Sequence, residues 1–243
     1  MKFLTSVVSV LGLLSVPMMV ADAGWVGVEG GQIEDVGAGS FVHVTTTTNG
    51  AYYLDWSQSY DTNQIKFVGI PSPAGASLNY VSGLSGHVAA IDDQGYFYYD
   101  KGWGTNWHQH TQTGDSRGFS DIGSSMTGYV CVVGPHDGDG QGEVFCNTGN
   151  AGSMVKMGGG GKLEFIDVAA DGMPVGVNGF GAVWQASGTH ANPTWTKLAD
   201  DGYVDVAIGP NGIVIGIKDD YSIIYDVGGA NWNMGGGGLR VSM

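Results

Sequence analysis

Apolar and polar residues alternate with a period of two through most of this 243-residue chain, and no stretch sustains a helical 3.6-residue period. The apolar runs are short and bounded by glycine-rich turns, so the pattern predicts many short strands and no long helix. The phrase "VDVAIGPNGIVIGI" at 204–217 has a near twin in "IDVAADGMPVGVN" at 166–178. Aligning on it yields a recurring pair: Asp35-Val36, Tyr80-Val81, Asp121-Ile122, Asp167-Val168 and Asp205-Val206, spaced by 45, 41, 46 and 38 residues. After a turn, each pair is followed by a second strand with a small or unusual centre. These are Val42-His43-Val44, Val88-Ala89-Ala90, Val130-Cys131-Val132, Val175-Gly176-Val177 and Ile215-Gly216-Ile217. An aromatic-rich third strand comes next, and a fourth often opens on tryptophan, as in "WHQH" from Trp107, "WTKL" from Trp195 and "WNMG" from Trp232.

Four short strands recurring at that period predict an all-β fold, a five- or six-bladed β-propeller of four-stranded blades. Each sheet buries both faces against its neighbours, so no unit stands alone, and that is the physical reason for the repetition. The small residue midway along each second strand would let adjacent sheets approach near the narrow axis. A β-sandwich of loosely similar strands is the plainer alternative. "WVGVEGG" near the start reads as a fourth strand without its first three, and "LRVSM" at the end as a lone first strand. Pairing of the termini would close the ring and leave no open edge.

The first residues follow another rule. Lys2, the apolar run "FLTSVVSVLGLLSVPMMV" and Ala21-Asp22-Ala23 have the order of a secretory signal peptide over residues 1–23. Residues 24–243 then form a single propeller domain, exported and extracellular. A formal charge of −14 argues against nucleic acid, whose phosphates it repels, and against anionic membranes, and no membrane insertion is expected. It leaves neutral ligands open.

An exported chain with only Cys131 and Cys146 is expected to oxidise them to a disulfide. Both lie in "CVVGPHDGDGQGEVFC", which reads as a hairpin between the second and third strands of the third blade. Pairing Cys131 with Cys146 sets Val132 beside Phe145 and Val133 beside Val144. Within it, Asp137, Asp139, Gln141 and Glu143 alternate with other residues, several of them glycine, an arrangement suited to a hard cation such as Ca²⁺. The plain alternative is a solvated acidic hairpin tip, and no cofactor is otherwise required. His108 and His110 share one strand face but make too few ligands for zinc. "GDSRG" at 114–118 fits the hydrolase elbow pattern Gly-x-Ser-x-Gly, yet it lacks the strand before and helix after that the elbow needs. No acid/base pair or nucleophile constellation is visible, so no enzyme is expected. The four-glycine runs at 158–161 and 235–238 read as linkers between blades.

The run "IDVAADGMPVGVNGFGAVWQ" resembles the tectonin repeat of fish egg lectins and horseshoe-crab tachylectin, through Ile166, Val168, Gly172, Gly176, Val177, Asn178 and Trp184. The next repeat matches more loosely, while the earlier ones depart at the glycine column with His43, Ala89 and Cys131. The resemblance implies a secreted lectin with several weak sites between blades or on loops, its partners being glycans or glycoproteins. A homo-oligomer is compatible with that use, since repeated weak sites gain avidity. Sugar rings stack on aromatic faces while polar side chains take their hydroxyls. The candidate ligand residues are therefore Trp103, in the loop "KGWGTNW", with Trp184 and Asn178, and Asp219, Asp220 and Tyr221 in the fifth repeat's turn. The rival expectation is a secreted non-lectin propeller, structural, adhesive or protein-binding.

Overall fold

The computed structural model describes residues 33–38, 42–46, 51–54, 67–84, 87–100, 106–110, 118–125, 127–147, 154–209, 211–220, 222–229 and 232–233. The signal segment 1–23, both termini on which ring closure would rest, Trp103 and Tyr221 lie outside those residues.

The described residues form five antiparallel sheets in chain order. The first blade holds β1 (Ile33–Ala38), β2 (Val42–Thr46), β3 (Ala51–Leu54) and β4 (Phe67–Ile70). The second holds β5 (Leu78–Leu84), β6 (His87–Asp92), β7 (Phe97–Asp100) and β8 (Trp107–Gln109). The third holds β9 (Asp121–Ser124), β10 (Val130–Val133) and β11 (Gly142–Asn147), with its outer edge split between β12 (Met154–Lys156) and β13 (Lys162–Leu163). The fourth holds β14 (Phe165–Val168), β15 (Pro174–Val177), β16 (Val183–Thr189) and β17 (Asn192–Ala199). The fifth holds β18 (Tyr203–Ile208), β19 (Val214–Lys218), β20 (Ile223–Tyr225) and β21 (Trp232–Asn233). First strands touch in succession, β1 to β5, β5 to β9, β9 to β14 and β14 to β18, so they are the inner strands of a propeller and the fourth strands lie outermost.

The core is a set of seams between blades. Ala51 and Ile70 of the first blade meet Leu78, Val81, Val88 and Ala90 of the second. Phe97 and Tyr99 meet Ile122, Val130 and Val132 of the third. Cys131, Val133, Val144 and Leu163 meet Ile166, Val168 and Ala186 of the fourth. Val175, Val177 and Val183 meet Val206, Ile208 and Val214 of the fifth. Val130 and Val132 thus face one neighbour, Cys131 and Val133 the other, and β10 is buried along its whole length. At about 1.5–3 kcal/mol for each large aliphatic side chain taken from water, these seams carry the stability.

The small residue of the second strand serves a different purpose from the one the repeat suggests. A Cβ at Gly176 would collide with the Leu163 side chain and the Phe165 carbonyl, so the notch receives a side chain from the segment entering the blade. The close approach of neighbouring sheets is at an inner strand instead, where a Cβ on Gly123 of β9 would come 2.5 Å from Asp167 Cα of β14. One strand boundary also shifts: β17 opens at Asn192, placing Trp195 mid-strand. The disulfide forms as expected, with Cys131 opposite Cys146, Val132 opposite Phe145 and Val133 opposite Val144. Among the described residues no helix is long and apolar enough to cross a membrane.

Candidate binding site between two blades

The turn joining second to third strand is built alike in three successive blades. Asp92 Oδ1 accepts the N–H groups of Gln94 (3.0 Å) and Tyr96 (2.8 Å). Asp137 Oδ1 accepts those of Asp139 (2.9 Å) and Gln141 (3.4 Å). Asn178 Oδ1 accepts those of Phe180 (3.1 Å) and Ala182 (2.9 Å). A short side-chain acceptor at this position mimics a backbone turn. Two residues read as ligand contacts, Asp137 for a cation and Asn178 for a sugar, therefore spend an oxygen on local structure.

The rest of the acidic hairpin is matched by lysines from the adjoining outer edge. Lys162 Nζ donates to Asp137 Oδ2 at 2.6 Å, and Lys156 Nζ to Glu143 Oε1 at 2.6 Å. The Lys162 ammonium, followed by the Asp139 amide, holds the Asp137 carboxyl below its ordinary range, and Asp137 raises Lys162 in return. Asp139 is exposed and its carboxylate enters neither ion pair. Among the described residues no three His, Cys, Asp or Glu side chains gather as metal ligands, Asp137, Asp139 and Glu143 included. His108 is exposed on β8, while His110 beyond its end packs 5.9 Å from the Phe97 ring.

Behind the hairpin, between the third and fourth blades, lies a cleft of about 310 Å³ lined by Gln141, Gly159, Gly160, Gly161, Lys162, Leu163, Asn178, Trp184 and Trp195. The split outer edge of the third blade makes room for it. After β12, Met157 N–H still binds the Val144 carbonyl of β11 at 2.8 Å; the chain then leaves the sheet through residues 158–161, Gly158 N–H binds the His190 carbonyl of the fourth blade at 3.0 Å, and the strand resumes as β13. Gly159 and Gly160 take positive φ, 73° and 69°, to make that excursion. Gly161 lies flat on the Trp195 indole, where a Cβ would come within 2.6 Å of Nε1. Trp195 Nε1 is buried with no hydrogen-bond partner among the described residues, whereas Trp107 on the second blade donates its own to the Pro71 carbonyl at 2.6 Å.

The cleft therefore presents two indoles, two primary amides and a glycine backbone. Among the described residues its only charged side chain, Lys162, is already paired with Asp137. It suits an uncharged, flat or ring-shaped group that accepts and donates hydrogen bonds. Of the predicted site residues, the structure brings Asn178, Trp184 and Gln141 together here. Asp219 and Asp220 do not line it; they are exposed on the β19–β20 turn, where Asp220 Oδ1 accepts the Ser222 N–H at 2.9 Å. Sequence reasoning did not place Trp195, read as the opening of a fourth strand, or the glycine run 158–161, read as a linker, at a site, and it passed over Lys162. The signal available was the glycine run itself, longer than any turn requires.

No family model matches the chain, and no curated protein matches it. Solved structures do. A structure of YCF48 bound to a D1 peptide is 16% identical, with a TM-score of 0.53 over 88% of this chain and 68% of that one. YCF48 from Cyanidioschyzon merolae is 10% identical, with a TM-score of 0.57 over 86% and 74%. Prp20p from Saccharomyces cerevisiae, with binding properties to Gsp1p and histones, is 9% identical, with a TM-score of 0.57 over 79% and 56%. At these identities the likeness is one of fold, and together with the five sheets it makes this chain a β-propeller.

Proposed function

We propose that this propeller is an exported binding module without catalysis of its own, which takes a short segment of a partner protein in the cleft between its third and fourth blades. The observation that carries the reading is the cleft's chemistry: Trp184 and Trp195 beside the amides of Gln141 and Asn178, with its one charge cancelled. About 310 Å³ is the low end for a ligand pocket, enough for one or two side chains and too little for a folded element. An anchor residue against the indoles, with its peptide groups reaching the amides and the Gly159–Gly161 backbone, matches that size. Propellers of the same fold bind a D1 peptide in YCF48 and Gsp1p and histones in Prp20p, which supports a protein partner. The disulfide and the N-terminal stretch support export.

A glycan is the second reading, favoured by the same indole and amide pairs, which would stack a sugar ring and bind its hydroxyls. The oxidised chain, screened on peptide and glycan arrays, separates the two. A peptide hit weakened about 30-fold by Trp184→Ala, the effect of losing an interface anchor, supports the first reading. Binding abolished by a free monosaccharide supports the second. Hits indifferent to both Trp184→Ala and Gln141→Ala would refute the cleft as the site.

A further inference from the structure

Three of the repeat's aspartates lie on adjacent inner strands, and all are buried: Asp121 at 1% exposure, Asp167 at 5% and Asp205 at 3%. Two of them reach across to the next blade. Asp121 Oδ2 accepts the N–H of Ile166 at 2.8 Å, and Asp167 Oδ2 accepts the N–H of Ile208 at 2.8 Å. Asp205 Oδ1 accepts the N–H of its own neighbour Val206 at 2.9 Å. Each carboxyl thus does a structural task that needs only an acceptor oxygen; a carboxylate accepts the N–H more strongly, but a neutral acid can still accept it. Keeping like charges on three successive buried strands is costly in a way that keeping the acceptors is not.

The middle member is the most confined. Asp167 sits on β14, which packs against β9, β10, β15 and β18. β9 brings Asp121, and β18 brings Asp205 and the Tyr203 phenol. β10 and β15 bring no group that titrates, since Cys131 is in the disulfide. Burial raises the Asp167 carboxyl well above its ordinary 3.8; the Ile208 and Val168 amides pull it down, and Asp205 and Asp121 push it up again.

We propose that Asp167 is a proton-linked latch: it holds a proton in the folded ring, and losing that proton loosens the seam between the fourth and fifth blades. The direction follows from linkage. A carboxyl whose folded value lies above its unfolded value contributes stability that is complete below the unfolded value and is lost as pH rises through the folded one. This contribution to the seam is therefore greatest in acid, opposite in sign to that of a paired aspartate such as Asp137.

Asp167→Asn tests this, because its amide oxygen still accepts the Ile208 N–H while nothing titrates. Melting temperatures of both chains are compared from about pH 3 to about pH 8. The two should agree at the acid end, and wild type should then fall behind by about 3–5 °C per pH unit within the window. Amide exchange at Ile208 should accelerate with pH more in wild type than in Asp167→Asn. Parallel melting profiles would overturn the proposal. Should the variant not fold, the carbon-13 carboxyl shift of Asp167 in wild type decides instead, and a midpoint at or below about 3.9 overturns it.

Discussion

Reducing the Cys131–Cys146 disulfide should lower the melting temperature by about 6–12 °C without changing the fold. The bond closes a loop over a sequence separation of 15 residues. In the chain-entropy treatment a loop of that length removes about 3 kcal/mol of freedom from the unfolded chain. For a chain of this size each kcal/mol moves the midpoint by about 2–4 °C. Little else opposes or adds to the term. Both cysteines are fully buried in the seam between the third and fourth blades, and a buried thiol behaves as a small apolar group, so reduction strands no polar atom. The register around them, Val132 with Phe145 and Val133 with Val144, holds the hairpin in the folded state whether or not sulfur is bonded. Scanning calorimetry of oxidised and fully reduced wild type is the direct assay, preferable to alanine variants that would also remove two buried sulfurs. The denaturant m-value should rise on reduction, since the unfolded chain is then less compact. A midpoint shift under about 2 °C, with m unchanged, would refute the reasoning and mean that the unfolded hairpin is already confined by other contacts.

Four further outcomes can be checked on the same material. Gly161→Ala drives a methyl group into the Trp195 indole and should cost about 1–3 kcal/mol while closing the cleft to ligands, whereas Gly138→Ala, with open space around it, should melt like wild type. Asp92→Ala removes the acceptor of the Gln94 and Tyr96 amides and of the Tyr98 hydroxyl, and should cost about 2–4 kcal/mol by chemical denaturation. In wild type, burial followed by the Asp92 hydrogen bond pushes the Tyr98 phenol up to about 12, so a spectrophotometric titration of Asp92→Ala should show one tyrosine returning toward 10.0. Ca²⁺ and EDTA should leave the melting temperature unchanged, because Lys162 and Lys156 already occupy Asp137 and Glu143; a calcium-dependent rise would show that the hairpin trades its lysines for a cation.

The blades were legible because their cause is periodic. A seam between two sheets needs apolar residues on both faces of the second strand, and "VCVV", "PVGV" and "VIGIK" display that need without help from distant contacts. The Asp-Val pair was visible for the same reason, although its meaning was not. Nothing local tells an aspartate that caps a neighbour's amide from one that faces water; the packing of β14 against β9, β10, β15 and β18 is what buries Asp167. Asp137 shows the converse. Its spacing from Asp139, Gln141 and Glu143 suited a cation, but Lys162, brought back by a separate strand, is its partner. Charge pairs between segments 25 residues apart leave no trace in periodicity.

The cleft was the least legible feature because it lies where the repeat fails. A regular outer strand would run unbroken from β12 into β13 and seal the third blade against the fourth. Here the four glycines 158–161 bow away between them and supply no side chains to refill the space beside Trp195. Leu163 then drops into the notch at Gly176, which fixes the depth at which the strand resumes. Aligning repeats discards such segments as insertions, so the procedure that reveals the scaffold conceals the site. The same logic indicates where evolution can change the ligand at least cost. The seam residues Val133, Val144, Ile166 and Val168 are locked by burial on both sides, whereas Gly160 and Gln141 border the cleft without entering the core clusters. Substitutions there should alter what binds and leave the melting temperature within a few degrees of wild type, apart from the strain any side chain meets at the positive φ of Gly160.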